Sequence, residues 1–125
     1  MGKQLMDIVL PRLARPLYRQ LHRFQVGQFD EAEFTRRFES LLRRQHAWLS
    51  KRGVSASRAA LAIHAAVLVL SLPGLRAEAA QANVPLEVIE RRAVREAAED
   101  VARNYNVSQR RVADVIARIV ARYGD

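Results

Sequence analysis

The sequence predicts an all-α protein, a compact bundle of five or six helices with a buried central helix rich in Ala, Leu and Val. Apolar residues recur every three or four positions in several segments, which is the period of a helix with one buried face. No segment has the strict alternation of apolar and polar residues typical of a strand. The 125 residues have the length of one domain, so we expect a single helical domain over residues 1–125.

The first helix is predicted from an apolar stripe whose members lie three or four residues apart: Leu10, Leu13, Leu17, Leu21 and Phe24. Arginines occupy the opposite side, at Arg12, Arg15, Arg19 and Arg23. Proline is tolerated in the first turn of a helix and kinks its interior. We therefore expect this helix to begin near Pro11 or Pro16 and to end at Val26 and Gly27.

The second helix has a clear start signal. Asp30 is expected to cap it, Glu33 to reach back to the cap, and Phe29 to pack on Phe34 across the first turn. Gly53 is expected to close it in a left-handed conformation. Its predicted apolar face consists of Phe34, Phe38, Leu41, Leu42, Ala47, Trp48 and Leu49.

The third helix is expected to follow a cap at Ser55 or Ser57, and it is apolar on nearly every side. Pro73 and Gly74 are expected to stop it, with a short polar helix over 76–82. Its uncharged stretch, residues 59–72, would span about 21 Å as a helix, which is less than the roughly 30 Å hydrocarbon core. The sequence therefore favours a buried helix over a membrane span.

Two more helices are predicted in the last third of the chain. Asn83 with Pro85 is expected to open a long helix that runs to about Tyr105. Ser108 is expected to cap the last helix. The core stripe of that helix is predicted to be Val112, Val115, Ile116, Ile119 and Val120.

The charge balance favours a polyanionic partner. The formal net charge is +8, from 21 Lys and Arg against 13 Asp and Glu. Such a surplus is typical of proteins that bind nucleic acid, an acidic protein or an anionic membrane surface, although arginine-rich composition also follows from a GC-rich genome. The surplus is concentrated in residues 1–58, with twelve cations and five anions, whereas residues 84–125 have eight and seven.

No pattern in the sequence indicates an enzyme. Cysteine is absent, which excludes disulfides, thiolate nucleophiles and cysteine-ligated zinc. His22, His46 and His64 lack the spacing of a helical metal site, and the five glycines are scattered, so there is no phosphate loop. We expect no catalytic residues, no metal and no cofactor. Asp7 and two prolines interrupt the segment in which a secretory signal would be apolar, so we expect a cytoplasmic protein.

The segment VARNYNVSQRRVADVI, residues 101–116, joins two helical patterns across a short break. It has small Ala102 where two helices must approach, apolar residues around the turn, and Asn106, a residue that tolerates positive φ. From Ala98 to Ala117 it resembles the helix-turn-helix motif of bacterial DNA-binding proteins. A tight corner between two packed helices has the same pattern.

The resemblance implies a recognition helix whose outward residues are Ser108, Gln109, Arg110, Ala113 and Asp114. Gln pairs with adenine and Arg with guanine in the major groove, while Arg111 and Arg103 would contact phosphate. The first two helices would add a basic face that contacts phosphate, formed by Arg36, Arg37, Arg43 and Arg44. Alternatively, these arginines are only a solvated surface and contact no nucleic acid.

The function predicted from these features is binding of double-stranded DNA by a homodimer, as a small regulator or nucleoid-associated protein. A dimer is expected because such motifs generally bind two half-sites, and because Trp48, Phe34 and Phe38 offer exposed aromatic surface. The alternative is a non-enzymatic helical adaptor that binds another protein through an apolar or basic groove. A surface shared by the basic face and Arg103, Gln109 and Arg110 would favour DNA binding.

Overall fold

The protein folds into five helices. A computed structural model describes the backbone of residues 2–123 and the side chains of residues 9–123. The helices are α1 (Gly2–Gln25), α2 (Glu31–Lys51), α3 (Ala56–Ala82), α4 (Leu86–Tyr105) and α5 (Gln109–Tyr123). Residues 2–123 contain no strand. The prediction of an all-α protein is confirmed.

The predicted start of α1 is wrong. The helix begins at Gly2, and both Pro11 and Pro16 lie inside it. A proline removes one N–H and so leaves only the carbonyl four residues earlier without its helical donor. The apolar stripe continues through both prolines, with the buried residues Val9, Leu10, Leu13 and Leu17, so burial maintains the helix across them. As predicted, α1 ends before Gly27, which has a φ of +80°.

The caps of α2 follow the prediction except at Glu33. The Asp30 carboxylate accepts a hydrogen bond from the Glu33 N–H at 2.8 Å, and the rings of Phe29 and Phe34 stack with centroids 6.5 Å apart. The Glu33 carboxylate does not return to the cap, because it pairs with Arg36 and Arg37. Gly53 has a φ of +81° and closes the helix as expected.

The apolar face of α2 packs on α1 partly through aromatic rings. Phe34 stacks on Phe24 of α1 at 4.7 Å between centroids and contacts Phe38 at 5.2 Å. Leu49 is buried and the other large members of the predicted face are half-buried. Ala47 is exposed, so it does not belong to this face as predicted.

Helix α3 is longer than predicted. Ser55, and not Ser57, precedes its first turn, where its carbonyl accepts from the Ala59 N–H at 2.8 Å. The helix runs through Pro73 and Gly74 to Ala82, so the predicted stop and the separate helix over 76–82 are wrong. Buried Leu68, Leu72 and Ala79 keep one apolar stripe across the proline.

The prediction that Asn83 opens α4 is wrong, because Asn83 terminates α3. It has a φ of +54°, and the two hydrogen bonds Asn83 N–H to Ala80 carbonyl and Val84 N–H to Ala79 carbonyl form a Schellman motif. Pro85 directly precedes α4, as its N-cap. The predicted end of α4 at Tyr105 is confirmed.

The length of α3 also changes the membrane argument. A helix of 27 residues is about 40 Å long, so the prediction that this segment is too short to span a bilayer is wrong in its premise. By length and composition α3 meets the criterion for a membrane span, which the core helix of a soluble protein also meets. In its most apolar 18-residue window, 44% is buried within the protein.

The chain forms two compact units, Met1–Ala66 and Val67–Asp125. The first contains α1, α2 and the start of α3, and α1 packs on α2. The second contains the remainder of α3 with α4 and α5, and α4 packs on α5. The predicted basic face therefore belongs to the first unit, and the helix-turn-helix candidate belongs to the second.

Candidate nucleic-acid interface

A tight corner joins α4 to α5. Asn106 follows the last residue of α4 with φ 53° and ψ 50°, the left-handed conformation predicted for it. Ser108 caps α5 as predicted. Its carbonyl accepts a hydrogen bond from the Val112 N–H at 3.1 Å, and its Oγ accepts one from the backbone N–H of Arg111 at 3.4 Å. Three residues, 106–108, separate the helices, which is the turn length of a helix-turn-helix motif.

The inner side of the corner is apolar and close-packed. Ala98, Val101 and Ile116 are completely buried, and Val112 is 6% exposed. Ala102, expected where the helices approach, is half-buried, whereas Ala98, one turn earlier, is completely buried. The predicted core stripe of α5 is confirmed, with Val115 half-buried and its other members buried.

The outer side of the corner presents the first turn of α5. Ser108, Gln109, Arg110 and Arg111 are all exposed. The side chains of Arg110 and Arg111 form no ion pair with any carboxylate described within residues 9–123. Two long cations and one amide therefore project from a helix start, where backbone N–H groups also favour anions.

Two of the predicted base-contacting residues lie apart from this turn. Ala113, half-buried, and Asp114, exposed, line an open groove of about 470 Å³. Helix α4 contributes Glu87, Glu90 and Arg91 to the same groove. The predicted set thus divides into an exposed first turn and a pair that borders a groove of mixed charge.

Arg103 is exposed at the end of α4, but it already has a partner. Its Nη2 lies 2.6 Å from Oδ1 of Asp100, one helical turn earlier. A guanidinium has five N–H donors, so this pair leaves donors available for a phosphate. The neighbouring carboxylate nevertheless reduces the positive potential at this position.

The sequence-based set omits Arg118. It is exposed on α5, seven residues after Arg111, so the two arginines lie on one side of the helix. Its Nε donates to the Asp114 carbonyl at 3.3 Å, which holds the side chain along the helix surface. The seven-residue spacing in the sequence is the signal that identifies it.

The predicted basic face of α2 divides in the same way. Arg36 and Arg37 both pair with Glu33, and the Arg37 guanidinium lies 5.0 Å from the centre of the Phe29 ring. Arg43 and Arg44 are exposed without an ion pair among the described side chains. Arg44 also borders a second groove, between α1 and α2.

The histidines do not form a site. His22 is exposed and stacks on Tyr18 with ring centroids 6.4 Å apart, while His46 and His64 are half-buried. Within residues 9–123, no group of three or more His, Asp or Glu side chains is arranged to hold a metal ion. The exposed side chains at the α4–α5 corner include the amide of Gln109 and the guanidinium groups of Arg110 and Arg111.

Comparison of the chain with protein-family models, with curated proteins and with solved structures finds no match. A proposal for the function of this protein therefore rests on the geometry of the α4–α5 corner and of the two grooves.

Proposed function

We propose that the protein binds double-stranded DNA, as a small regulator or nucleoid-associated protein, through the α4–α5 corner. The observation that supports this most directly is the two-sided first turn of α5. Gln109, Arg110 and Arg111 are exposed there, while Val112 and Ile116 behind them are buried. A helix start held rigidly on an apolar base, with extended polar side chains outward, suits insertion into the major groove.

Each exposed side chain suits a different contact. Arg110 has the guanidinium fork that pairs with both acceptors of guanine, and the Gln109 amide pairs with adenine. Arg111 and Arg118, seven residues apart along one side of α5, suit phosphates of the flanking backbone. Asp114 lies between these two arginines on the same side of α5, three residues after Arg111 and four before Arg118. Its carboxylate would repel the backbone, so we assign the interface to the first turn of α5.

The first unit offers an accessory phosphate contact at Arg43 and Arg44, which have no carboxylate partner among the described side chains. Arg36 and Arg37 share Glu33, so they would contribute less positive potential than their number suggests. We therefore assign the proposed DNA interface to α5.

We propose a homodimer as the DNA-binding form, because a single short recognition helix makes too few contacts for high affinity and two half-sites double them. Phe34 and Phe38 already pack against aromatic rings within the first unit, so they leave less aromatic surface for a second copy of the chain. Trp48 remains half-buried.

The test is fluorescence anisotropy of a labelled mixed-sequence duplex titrated with the protein at several salt concentrations. Binding through phosphates makes log affinity fall linearly with log salt, with a slope of about −0.9 per phosphate contacted. We expect Arg111→Ala to make that slope less negative by about 0.9, the contribution of one phosphate contact. On a preferred site, Arg110→Ala should weaken binding about 5- to 150-fold, the range for loss of a bidentate base contact.

Arg92→Ala is the matched control. It removes one exposed arginine from the second unit, but that residue pairs with Glu78 and lies on α4 away from the corner. We expect it to change affinity less than Arg110→Ala does. Equal losses in the two variants would show that net charge alone drives binding, and absence of binding at low salt would refute the proposed function.

A further inference from the structure

The first unit contains an open groove of about 450 Å³ between α1 and α2, here called the Trp48 groove. Its apolar lining consists of Leu13, Pro16, Leu41 and Trp48, and its charged lining consists of Arg12, Arg15, Arg19 and Arg44. Gln45 completes it. None of these residues belongs to the α4–α5 corner, so the groove requires a separate explanation.

All four charged residues of the Trp48 groove are arginines. None of them forms an ion pair with a carboxylate described within residues 9–123. Arg12, Arg15 and Arg19 follow one another at helical spacing, so they line about 10 Å of one side of α1. Apolar walls strengthen the field of such a cluster, so the groove attracts a ligand with several negative charges.

The floor of the groove contains an unpaired polar atom. Gln45 is only 7% exposed, and its Nε2 donates to the Leu13 carbonyl at 2.9 Å. Its Oε1 is buried and has no donor among the described residues.

The lining distinguishes between classes of polyanion. A nucleic-acid backbone would supply charge but no apolar side chain to cover the half-buried Pro16 and Leu41. The indole of Trp48 already has the Arg52 guanidinium 4.0 Å from its ring centre and that of Arg12 at 5.8 Å, so it is not an open platform for a base. The groove instead fits a ligand that carries carboxylates and apolar side chains together.

We propose that the Trp48 groove binds an acidic amphipathic peptide segment of a partner protein. Its apolar side chains would pack on the half-buried side chains of Pro16, Leu41 and Trp48, as an amphipathic helix does in an apolar groove. Its Asp and Glu side chains would form charge-assisted hydrogen bonds with the arginines at the rim. This inference does not rest on DNA binding at the α4–α5 corner.

Trp48 is the sole tryptophan of the sequence, so its emission reports on the groove directly. The probe is a labelled, tryptophan-free synthetic peptide of about sixteen residues, with Leu and Phe at i, i+3, i+4 and i+7 and Glu at the other positions. We expect it to bind the full-length protein, to change Trp48 emission at the same midpoint, and to bind more weakly as salt is raised. The same peptide with Gln for Glu, and a scrambled peptide without the apolar stripe, should each bind at least tenfold more weakly.

The variant Arg15→Gln with Arg19→Gln tests the rim, and Arg36→Gln with Arg37→Gln is its charge-matched control on the same unit. We expect the first to weaken peptide binding about tenfold or more and the second to have a smaller effect, because Arg36 and Arg37 lie outside the groove. All four arginines are exposed, so folding is preserved and circular dichroism verifies it.

Three results would overturn the proposal. The first is equal binding of the scrambled and amphipathic peptides, because net charge would then suffice. The second is equal weakening by the two double variants. The third is a change in Trp48 emission on addition of single-stranded oligothymidine but not of the peptide, which would make nucleic acid the occupant.

Discussion

Replacement of Pro73 by alanine tests whether α3 is one continuous helix. Because Pro73 has no N–H, the Val69 carbonyl four residues earlier lacks its helical donor. The preceding turn shows a local adjustment, since the Ser71 hydroxyl donates to the Val67 carbonyl at 2.8 Å. In a continuous helix, alanine at position 73 restores one backbone hydrogen bond and removes the clash of the proline ring.

The expected gain in the free energy of unfolding follows from these two terms. Proline in a helix interior costs about 3 kcal/mol relative to alanine. A helix that has already adapted to the ring recovers less, and the lower bound is about 1 kcal/mol, the net contribution of one hydrogen bond. We therefore expect Pro73→Ala to stabilise the protein by roughly 1 to 3 kcal/mol.

The assay is urea denaturation followed by far-ultraviolet circular dichroism and by Trp48 fluorescence. Trp48 belongs to the first unit and Pro73 to the second, so comparison of the two probes shows whether the units unfold together. The control is Pro85→Ala, because Pro85 precedes α4 and interrupts no helix. Alanine there should leave stability unchanged or lower it by about 0.4 to 1 kcal/mol, through the freer unfolded chain. A similar loss in Pro73→Ala would mean that Pro73 ends a helix, and would refute the continuous α3.

Two further predictions concern the corner and the assembly. Asn106→Ala should lower the free energy of unfolding by about 1 kcal/mol, whereas Asn106→Gly should not, because only the left-handed backbone conformation is at stake; an equal loss in both variants would assign the effect to the Asn106 side chain. Sedimentation velocity at micromolar concentration should give the mass of a dimer, since the proposed recognition helix needs two half-sites for high affinity. A monomer mass would contradict this expectation.

Four local signals at helix ends are correctly predicted, because each depends on a few adjacent residues. Asp30, Gly53, Asn106 and Ser108 all adopt the predicted roles. Each role is determined by one side chain or one backbone conformation within a single turn. These four roles therefore do not depend on how distant parts of the chain pack.

The predicted start of α1 at Pro11 or Pro16 is wrong because the apolar stripe around the two prolines outweighs their local cost. Leu10, Leu13 and Leu17 keep one helical phase across Pro11 and Pro16. The two lost hydrogen bonds, one at each proline, cost less than the burial of several leucines contributes, so the helix continues. An apolar stripe that stays in phase through a proline predicts a continuous helix, and this signal was present in the sequence.

The composition of the candidate interface was only partly predictable, for a different reason. The exposure of Gln109, Arg110 and Arg111 follows from the cap at Ser108, which is local. The position of Ala113 and Asp114 in a groove with Glu87 and Glu90 depends on how α5 packs against residues more than twenty positions earlier. Periodicity identifies the buried face of a helix but not which neighbour flanks its sides.

Net charge also describes this protein less well than the pairing of its arginines does. Arg36 and Arg37 form part of the basic surplus of residues 1–58, yet both are held by Glu33. Some arginines that form no ion pair with a described carboxylate lie on different backgrounds in the two units: an exposed helix start around Arg110 and Arg111, and an apolar groove around Arg15 and Arg19. The first background suits phosphates and base edges, and the second suits carboxylates attached to apolar side chains. The same positive charge therefore predicts two ligands of different chemistry. For this reason, substitutions at Arg110 should weaken DNA binding without affecting the acidic peptide, and substitutions at Arg15 and Arg19 should do the reverse.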